Sequence, residues 1–110
     1  MSTIYRGDDF TFKFTFSGSS VTSITGWSFT LTVKDDLALT DTAAQLQVNS
    51  SSWTKSSLTA YCPITASQTL AIPSGSYWID AKAKLATNTT FTILPPAQYK
   101  FKDSVTRAVS

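Results

Sequence analysis

Apolar and polar residues alternate with a period of two over several short stretches of the chain, and this pattern predicts β-strands. The first stretch carries four phenylalanines on one side and threonines and a lysine on the other. The phenylalanines are Phe10, Phe12, Phe14 and Phe16. Because successive side chains of a strand point to opposite faces, we expect this strand to bury its phenylalanine face in a core.

The same alternation predicts further strands at residues 27–33, 45–48, 58–64, 76–85 and 91–93, and a last one through Tyr99 and Phe101 that extends to Val105. The strand at 76–85 has the clearest pattern. Its inward side chains are Tyr77, Ile79, Ala81 and Ala83, and its outward side chains are Trp78, Asp80, Lys82 and Lys84. Pro63 indicates a sheet edge or a strand end, since proline lacks a backbone N–H. Pro95 and Pro96 are expected to separate the last two strands.

Helical signals are sparse. Residues 65–71 form the one plausible helical turn, where Thr65 followed by Gln68 three residues later is a capping box. Residues 37–43 fit either a brief helical turn or a loop that crosses between sheets. About seven short strands separated by turn residues are typical of an antiparallel sandwich. We therefore expect an all-β sandwich, with residues 1–110 forming a single domain.

The titratable residues argue against an enzyme. The chain has no His, and all of its acidic residues are aspartates. General acid–base and triad mechanisms use His most often, and neighbouring aspartates such as Asp8–Asp9 or Asp35–Asp36 point to opposite faces of a strand. With one cysteine and no His, transition-metal ligands are lacking, although calcium on loop aspartates stays open. We expect no catalytic residues, no metal and no cofactor.

Charge is low. Charged residues make up 15% of the chain and the net charge is +2, which is too little clustered positive charge for a nucleic-acid partner. No apolar run is long enough to cross a membrane, and the N-terminus is unlike a signal peptide, so we expect cytoplasmic synthesis and no membrane association. The single cysteine, Cys62, lies in an apolar alternation and is expected to be a core residue.

Two short motifs have simple interpretations. Arg6-Gly7-Asp8 matches the integrin-binding tripeptide, but it directly precedes a strand and is expected to be a turn. Asn49-Ser50-Ser51 and Asn88-Thr89-Thr90 match glycosylation sequons and are likewise expected to be turns.

The tryptophans are the strongest candidates for a contact surface. Trp27 is expected in the core, whereas Trp53 lies in a polar loop and Trp78 on the outward face of its strand. Exposed tryptophan is costly without a partner, so a neighbouring subunit or a loop of the same chain should cover each of the two. Asp80, inside the same strand as Trp78, is either a surface residue beside Lys82 or buried against a partner. A sugar-binding surface built from Trp53 and Trp78 is an alternative.

Four motifs, in order and spread over nearly the whole chain, resemble those of a family of small phage proteins. They are Tyr5-Arg6-Gly7-Asp8-Asp9-Phe10, Ile24-Thr25-Gly26-Trp27-Ser28-Phe29, Ile72-Pro73-Ser74-Gly75-Ser76-Tyr77-Trp78-Ile79-Asp80 and Ser104-Val105-Thr106-Arg107. The family is similar to the immunoglobulin-like N-terminal domain of phage baseplate upper proteins and to stand-alone virion proteins. This chain departs from it at Pro95-Pro96, where the family more often carries a glycine before its last strand.

The resemblance implies an immunoglobulin-like sandwich that is part of a virion, often as a homotrimer, and that joins other virion proteins. The expected function is a tail, baseplate or fibre-adaptor component that acts by protein–protein contacts. A capsid cement or decoration protein of the phage head is the first alternative, and a carbohydrate-binding module is the second. The expected contact residues are Trp53 in its polar loop, the outward Trp78 and Asp80, and Tyr5, Arg6 and Arg107 near the chain ends.

Overall fold

A computed structural model describes residues 2–16, 23–36 and 44–103, and the structural statements below concern these residues. They form eight β-strands, one short α-helix (α1) and a 3-10 turn at Ser50–Ser52. The strands are β1 (Ser2–Tyr5), β2 (Phe10–Thr15), β3 (Ser28–Lys34), β4 (Leu46–Asn49), β5 (Thr54–Ser56), β6 (Thr59–Ile64), β7 (Gly75–Lys84) and β8 (Thr90–Lys102), and α1 spans Ala66–Ala71.

The strands form two sheets. The larger sheet has the order β1-β8-β7-β3-β4, and the smaller one has the order β2-β6-β5. All neighbours pair antiparallel except β1 and β8, which are parallel. This confirms the predicted all-β sandwich, with one more strand than the roughly seven that the turn spacing indicated.

The core lies between the sheets, and the predicted faces of the strands supply it. The inward residues of β7 are all buried, namely Tyr77, Ile79, Ala81 and Ala83. On β2, Phe12 is buried, and Phe10, Phe14 and the adjacent Phe16 pack against the core while half-buried. Cys62 is fully buried among them, as expected from its apolar alternation. Burial of these apolar side chains is the main stabilising contribution to the fold.

The predicted capping box is confirmed at the start of α1. The Thr65 hydroxyl oxygen accepts a hydrogen bond from the Gln68 backbone N–H at 3.2 Å. The Gln68 side-chain oxygen in turn accepts from the Thr65 backbone N–H at 2.9 Å. The Asp9 carboxylate accepts from the Ala66 N–H at 2.6 Å, which ties this helix to the segment before β2. Three N–H groups of the helix start are thus satisfied by side chains.

The prediction that Pro95 and Pro96 end a strand is wrong. β8 continues through both prolines for 13 residues. Its pairing with β7 shifts register here, because Ile79 is opposite Ala97 while Ala81 is opposite Leu94, so that both prolines lie opposite one residue, Asp80. Such a bulge accommodates proline because the ladder is locally interrupted.

Two strands were missed by the pattern analysis. β1 has one buried residue, Ile4, and β5 consists of three exposed residues, so neither shows alternation long enough to predict. The prediction that Pro63 lies at a sheet edge or a strand end agrees with the structure. Pro63 pairs with Thr11 of β2 on one side, whereas the described pairing of β6 with β5 on the other side stops at Tyr61. The ambiguous segment 37–43 and the predicted extension to Val105 lie outside the described residues.

Candidate functional site: the outer face of the five-stranded sheet

The five-stranded sheet turns one face to the core and the other away from it. We call the second face the outer sheet face, and the strand register defines its members. They are Thr3, Tyr5, Ser28, Thr30, Thr32, Lys34, Gln47, Asn49, Ser76, Trp78, Asp80, Lys82, Lys84, Thr90, Thr92, Gln98, Lys100 and Lys102. Hydroxyl, amide and charged side chains dominate this surface, as is typical of the uncovered face of a sheet.

Three of the predicted contact residues lie on this face. Trp78 lies in the middle of the sheet, with Lys34 of β3 as one cross-strand neighbour and Gln98 of β8 as the other. Asp80 is the next outward residue on the same strand. Tyr5 lies on β1 at one edge of the sheet, and 47% of its surface is exposed. The face therefore combines a half-buried tryptophan with an exposed tyrosine, two residue types enriched in protein interfaces.

A shallow groove of about 460 Å³ on this face is lined by Asp80, Lys82 and Lys84 among other residues. Thr30 and Thr32 also line it. The Gln47 amide donates a hydrogen bond to the Thr32 hydroxyl oxygen at 3.3 Å, and Thr32 is only 6% exposed although it points outward. A smaller cavity of about 60 Å³ is lined by residues that include Trp78 and Pro96. The groove offers hydroxyl, ammonium and carboxylate groups to a partner.

Trp53 was predicted to belong to a contact surface, and this is wrong for the folded chain. Its side chain is 6% exposed and lies between the rings of Phe14 and Phe29, at centroid distances of 5.7 and 5.0 Å. The indole N–H donates to the Val48 carbonyl oxygen at 3.0 Å. Of the two ways in which Trp53 was expected to be covered, burial by its own chain is the correct one. A sugar-binding surface that uses Trp53 together with Trp78 therefore loses one of its two aromatic rings.

Arg6 also turns out to be held within its own chain. Its Nε donates to the Ile72 carbonyl oxygen at 2.6 Å and its Nη2 to the Leu70 carbonyl oxygen at 2.7 Å. Its Nη1 forms an ion pair with Asp103. The guanidinium links the end of β1 to the end of α1 and to the residue after β8.

The turn at Arg6-Gly7-Asp8 has a structural role that explains its sequence. The Asp8 N–H donates to the Tyr5 carbonyl oxygen at 3.2 Å, and Gly7 has a φ of +89°, which favours glycine. The Thr69 hydroxyl accepts from the Gly7 N–H at 3.0 Å and donates to the Asp8 carbonyl oxygen at 2.8 Å. This confirms the prediction that the tripeptide is a turn. The last predicted contact residue, Arg107, lies outside the described residues.

The lysines of the face are what sequence reasoning missed. Five of the seven lysines of the chain lie on the outer sheet face. They are Lys34, Lys82, Lys84, Lys100 and Lys102. Their spacing by two in the sequence predicts that Lys82 and Lys84 share one face of a strand, and that Lys100 and Lys102 share one face of another. Only the strand order, in which β3 and β8 flank β7, shows that all five share the same face of one sheet.

Two further properties of the described residues bear on chemistry. Burial raises the pKa of the Cys62 thiol to about 12, so the thiol is protonated and inert at neutral pH. Among residues 2–16, 23–36 and 44–103, no three His, Cys, Asp or Glu side chains are grouped as metal ligands would be. No helix within these ranges has the length and apolarity that a bilayer span requires.

Comparison with known proteins adds no family to this description. Neither a protein-family model nor a curated protein matches the chain.

Proposed function

We propose that this chain is a structural component of a bacteriophage particle, in the tail or baseplate or as an adaptor for fibres, and that it acts through protein–protein contacts. The resemblance of its four motifs to phage virion proteins supports the assignment to a phage particle. The outer sheet face supports action through protein–protein contacts. That face presents Trp78 and the exposed Tyr5 among hydroxyl and amide side chains on a rigid sheet. Aromatic residues within a polar surface are the composition expected of an interface.

The location is tested by cryo-electron microscopy of the particle that encodes this chain. Density for the sandwich at the tail tip, the baseplate or the fibre attachment point is the expected result. Density confined to the head shell would overturn the tail assignment and favour the alternative of a capsid cement protein. Absence of the chain from purified particles would overturn the virion assignment itself.

The mode of action is tested by substitutions on the outer sheet face. Trp78→Ser and Tyr5→Ser should reduce incorporation of the chain into particles without changing its urea unfolding midpoint by much. Tyr61, which faces outward on the smaller sheet opposite Lys13, provides a matched aromatic control. Tyr61→Ser should leave incorporation unchanged. Equal losses for Tyr61→Ser and the two outer-face variants would contradict a specific contact at this face.

The proposal includes self-association as a homotrimer, because a weakly charged surface with an outward tryptophan suits a chain that packs against neighbours. Light scattering of the purified chain across a concentration series should give a mass about three times the 11.9 kDa of the monomer. A monomeric mass at the highest concentration would contradict a stable homotrimer.

A further inference from the structure

We infer that the outer sheet face docks an acidic protein surface, with carboxylates of the partner meeting Lys82 and Lys84 in the groove. The biological partner, an acidic virion protein, rests on the proposed function. The preference of the face for carboxylates rests only on its own charges and neighbours.

Charge is distributed unevenly over the surface of the sandwich. The whole chain carries a net charge of +2, yet five lysines lie on the outer sheet face. Among the residues that the structure describes, Asp80 is the single acidic member of this face. Positive charge is thus concentrated on one side of the sandwich rather than spread evenly over it. Charge complementarity of this kind steers partners and sets which surfaces can dock.

Neutral side chains are the cross-strand neighbours of Lys82 and Lys84. The cross-strand neighbours of Lys82 are Thr30 on β3 and Thr92 on β8. Those of Lys84 are Ser28 and Thr90 on the same two strands. All four neighbours are neutral hydroxyl residues, so neither ammonium group has a carboxylate beside it across the ladder. An incoming carboxylate would find the ammonium groups and several hydroxyl donors in one groove, which is the arrangement that charge-assisted hydrogen bonds require.

The remaining described acids lie where they do not neutralise this pair. Asp8 and Asp9 lie between β1 and β2, Asp35 and Asp36 follow the end of β3, and Asp103 follows the end of β8 and is paired with Arg6. The Asp35 carboxylate accepts a hydrogen bond from the Gln45 amide at 3.0 Å. Asp35, Asp36 and Asp103 border the end of the sheet at which β3 and β8 finish, whereas Lys82 and Lys84 lie toward the opposite end, where these two strands begin.

Two features favour a protein over a nucleic acid as the acidic partner. Asp80 lies in the same outward row as Lys82, where it would repel the phosphates of a duplex, which are fixed at close spacing, whereas a polypeptide can turn its carboxylates toward the lysines and away from Asp80. Trp78, two outward positions before Lys82 on the same strand, and Tyr5, opposite Lys102, place aromatic surface suited to a protein interface on the same face. The expected partner is therefore a folded or extended protein segment that bears several Asp or Glu side chains.

The test uses the purified chain, labelled with ¹⁵N, and poly-L-glutamate as the probe. Titration should shift the amide resonances of β3, β4, β7 and the part of β8 around Thr90 and Thr92, with the resonances of β5 and β6 unchanged. The apparent affinity should fall as salt is raised, since exposed charge pairs are screened. Shifts centred on the smaller sheet, or no binding at low salt, would overturn the inference.

Charge reversal supplies the second arm. The double variant Lys82→Glu/Lys84→Glu should weaken binding of poly-L-glutamate by about tenfold or more, because each lost contact becomes a repulsion. Lys13→Glu is the matched control, since Lys13 is exposed on the smaller sheet. If the double reversal does not fold, as judged by the spread of amide resonances, Lys82→Gln/Lys84→Gln replaces it, with a smaller loss expected. An equal loss in the Lys13 variant would overturn the inference.

Competition with duplex DNA distinguishes an acidic protein partner from a nucleic-acid partner. Poly-L-glutamate should bind at least as tightly as a DNA duplex of similar total charge. Much tighter binding of DNA would overturn the assignment to a protein partner. These results are independent of where the chain resides in a particle, so failure of the virion proposal and failure of this inference are distinguishable.

Discussion

The Trp53 indole lies nearly parallel to the Phe29 ring, with 5.0 Å between the ring centroids and 11° between the ring planes. The opposite side of the indole faces Phe14, whose centroid is 5.7 Å away. Phe14 belongs to the smaller sheet and Phe29 to the larger one, so one tryptophan from the segment between β4 and β5 bridges the two layers of the sandwich.

From this arrangement we expect Trp53→Ala to lower the free energy of unfolding by about 3–5 kcal/mol, because it leaves a cavity between the sheets. Trp53→Phe keeps much of the packing but leaves the Val48 carbonyl oxygen without its donor, and a loss of about 1–3 kcal/mol is expected. Urea unfolding checks both values. Trp78→Ala is the control, since Trp78 lies on the outer sheet face, and it should cost no more than about 1 kcal/mol. Equal losses at the two tryptophans would contradict the assigned burial.

Arg6 should matter for stability, since its guanidinium joins three segments. Arg6→Ala removes two hydrogen bonds to backbone carbonyls and the ion pair with Asp103, and we expect a loss of about 1–3 kcal/mol. Arg6→Lys should recover only part of this, because one ammonium cannot reproduce the geometry of the planar guanidinium. In thermal unfolding, the midpoint temperature should fall from the wild type to Arg6→Lys and further to Arg6→Ala. Lys13→Ala should lie within about 0.5 kcal/mol of wild type.

Cys62 should be unreactive in the folded chain. Since burial raises its pKa to about 12, almost none of the thiol is ionised at pH 8, and a thiol reagent such as dithionitrobenzoate should label it only after unfolding. The raised folded pKa also contributes to the pH dependence of stability. The neutral thiol is favoured in the fold, so this contribution is full below the ordinary thiol pKa of about 8.5 and is lost as pH rises toward 12.

Comparison with Cys62→Ala isolates that contribution. Burial also raises the pKa values of Tyr77 and Tyr99, so both proteins should lose stability at high pH. The wild type should lose more between pH 9 and 12 than the variant. Identical pH profiles, or rapid labelling of the native protein at pH 8, would contradict the assignment of Cys62 as a sealed core thiol.

The capping box gives a prediction about α1. Thr65→Ala removes the acceptor for the Gln68 N–H, and we expect a loss of about 1 kcal/mol in the free energy of unfolding. Ser67 is an exposed position of the same helix. Ser67→Ala should be neutral or slightly stabilising because alanine has the higher helix propensity. A cost at Ser67 equal to that at Thr65 would indicate that the cap contributes nothing.

Sequence reasoning succeeded where a local pattern decides the structure. The alternation in β7 and the spacing of Thr65 and Gln68 are local, and the structure has the predicted faces and cap. Sequence reasoning failed where contact with a segment far away in the chain determines the local structure. β1 is a strand because β8 pairs with it across nearly the whole chain, and its four residues show no convincing alternation. Pro95 and Pro96 continue a strand because a bulge opposite Asp80 accommodates them.

The candidate site shows the same division. Trp78 and Asp80 could be placed on the outward face of their strand from period two alone. Trp53 could not be assigned, because the two rings that cover it come from β2 and β3 and no local pattern connects them. The grouping of five lysines needs the order of the strands in the sheet, which a single sequence does not contain.

The two prolines of β8 have a consequence for how the chain behaves at high concentration. Described pairing by β1 covers only Tyr99–Lys102, so the preceding part of this long strand has no described neighbour on that side. A bare strand edge invites the edge of another molecule, and repeated pairing of this kind builds aggregates. Pro95 and Pro96 have no backbone N–H to offer such a neighbour, and the bulge bends the strand at the same point. We therefore expect Pro95 and Pro96, which were predicted to interrupt the sheet, to lower the tendency of the chain to aggregate through this edge.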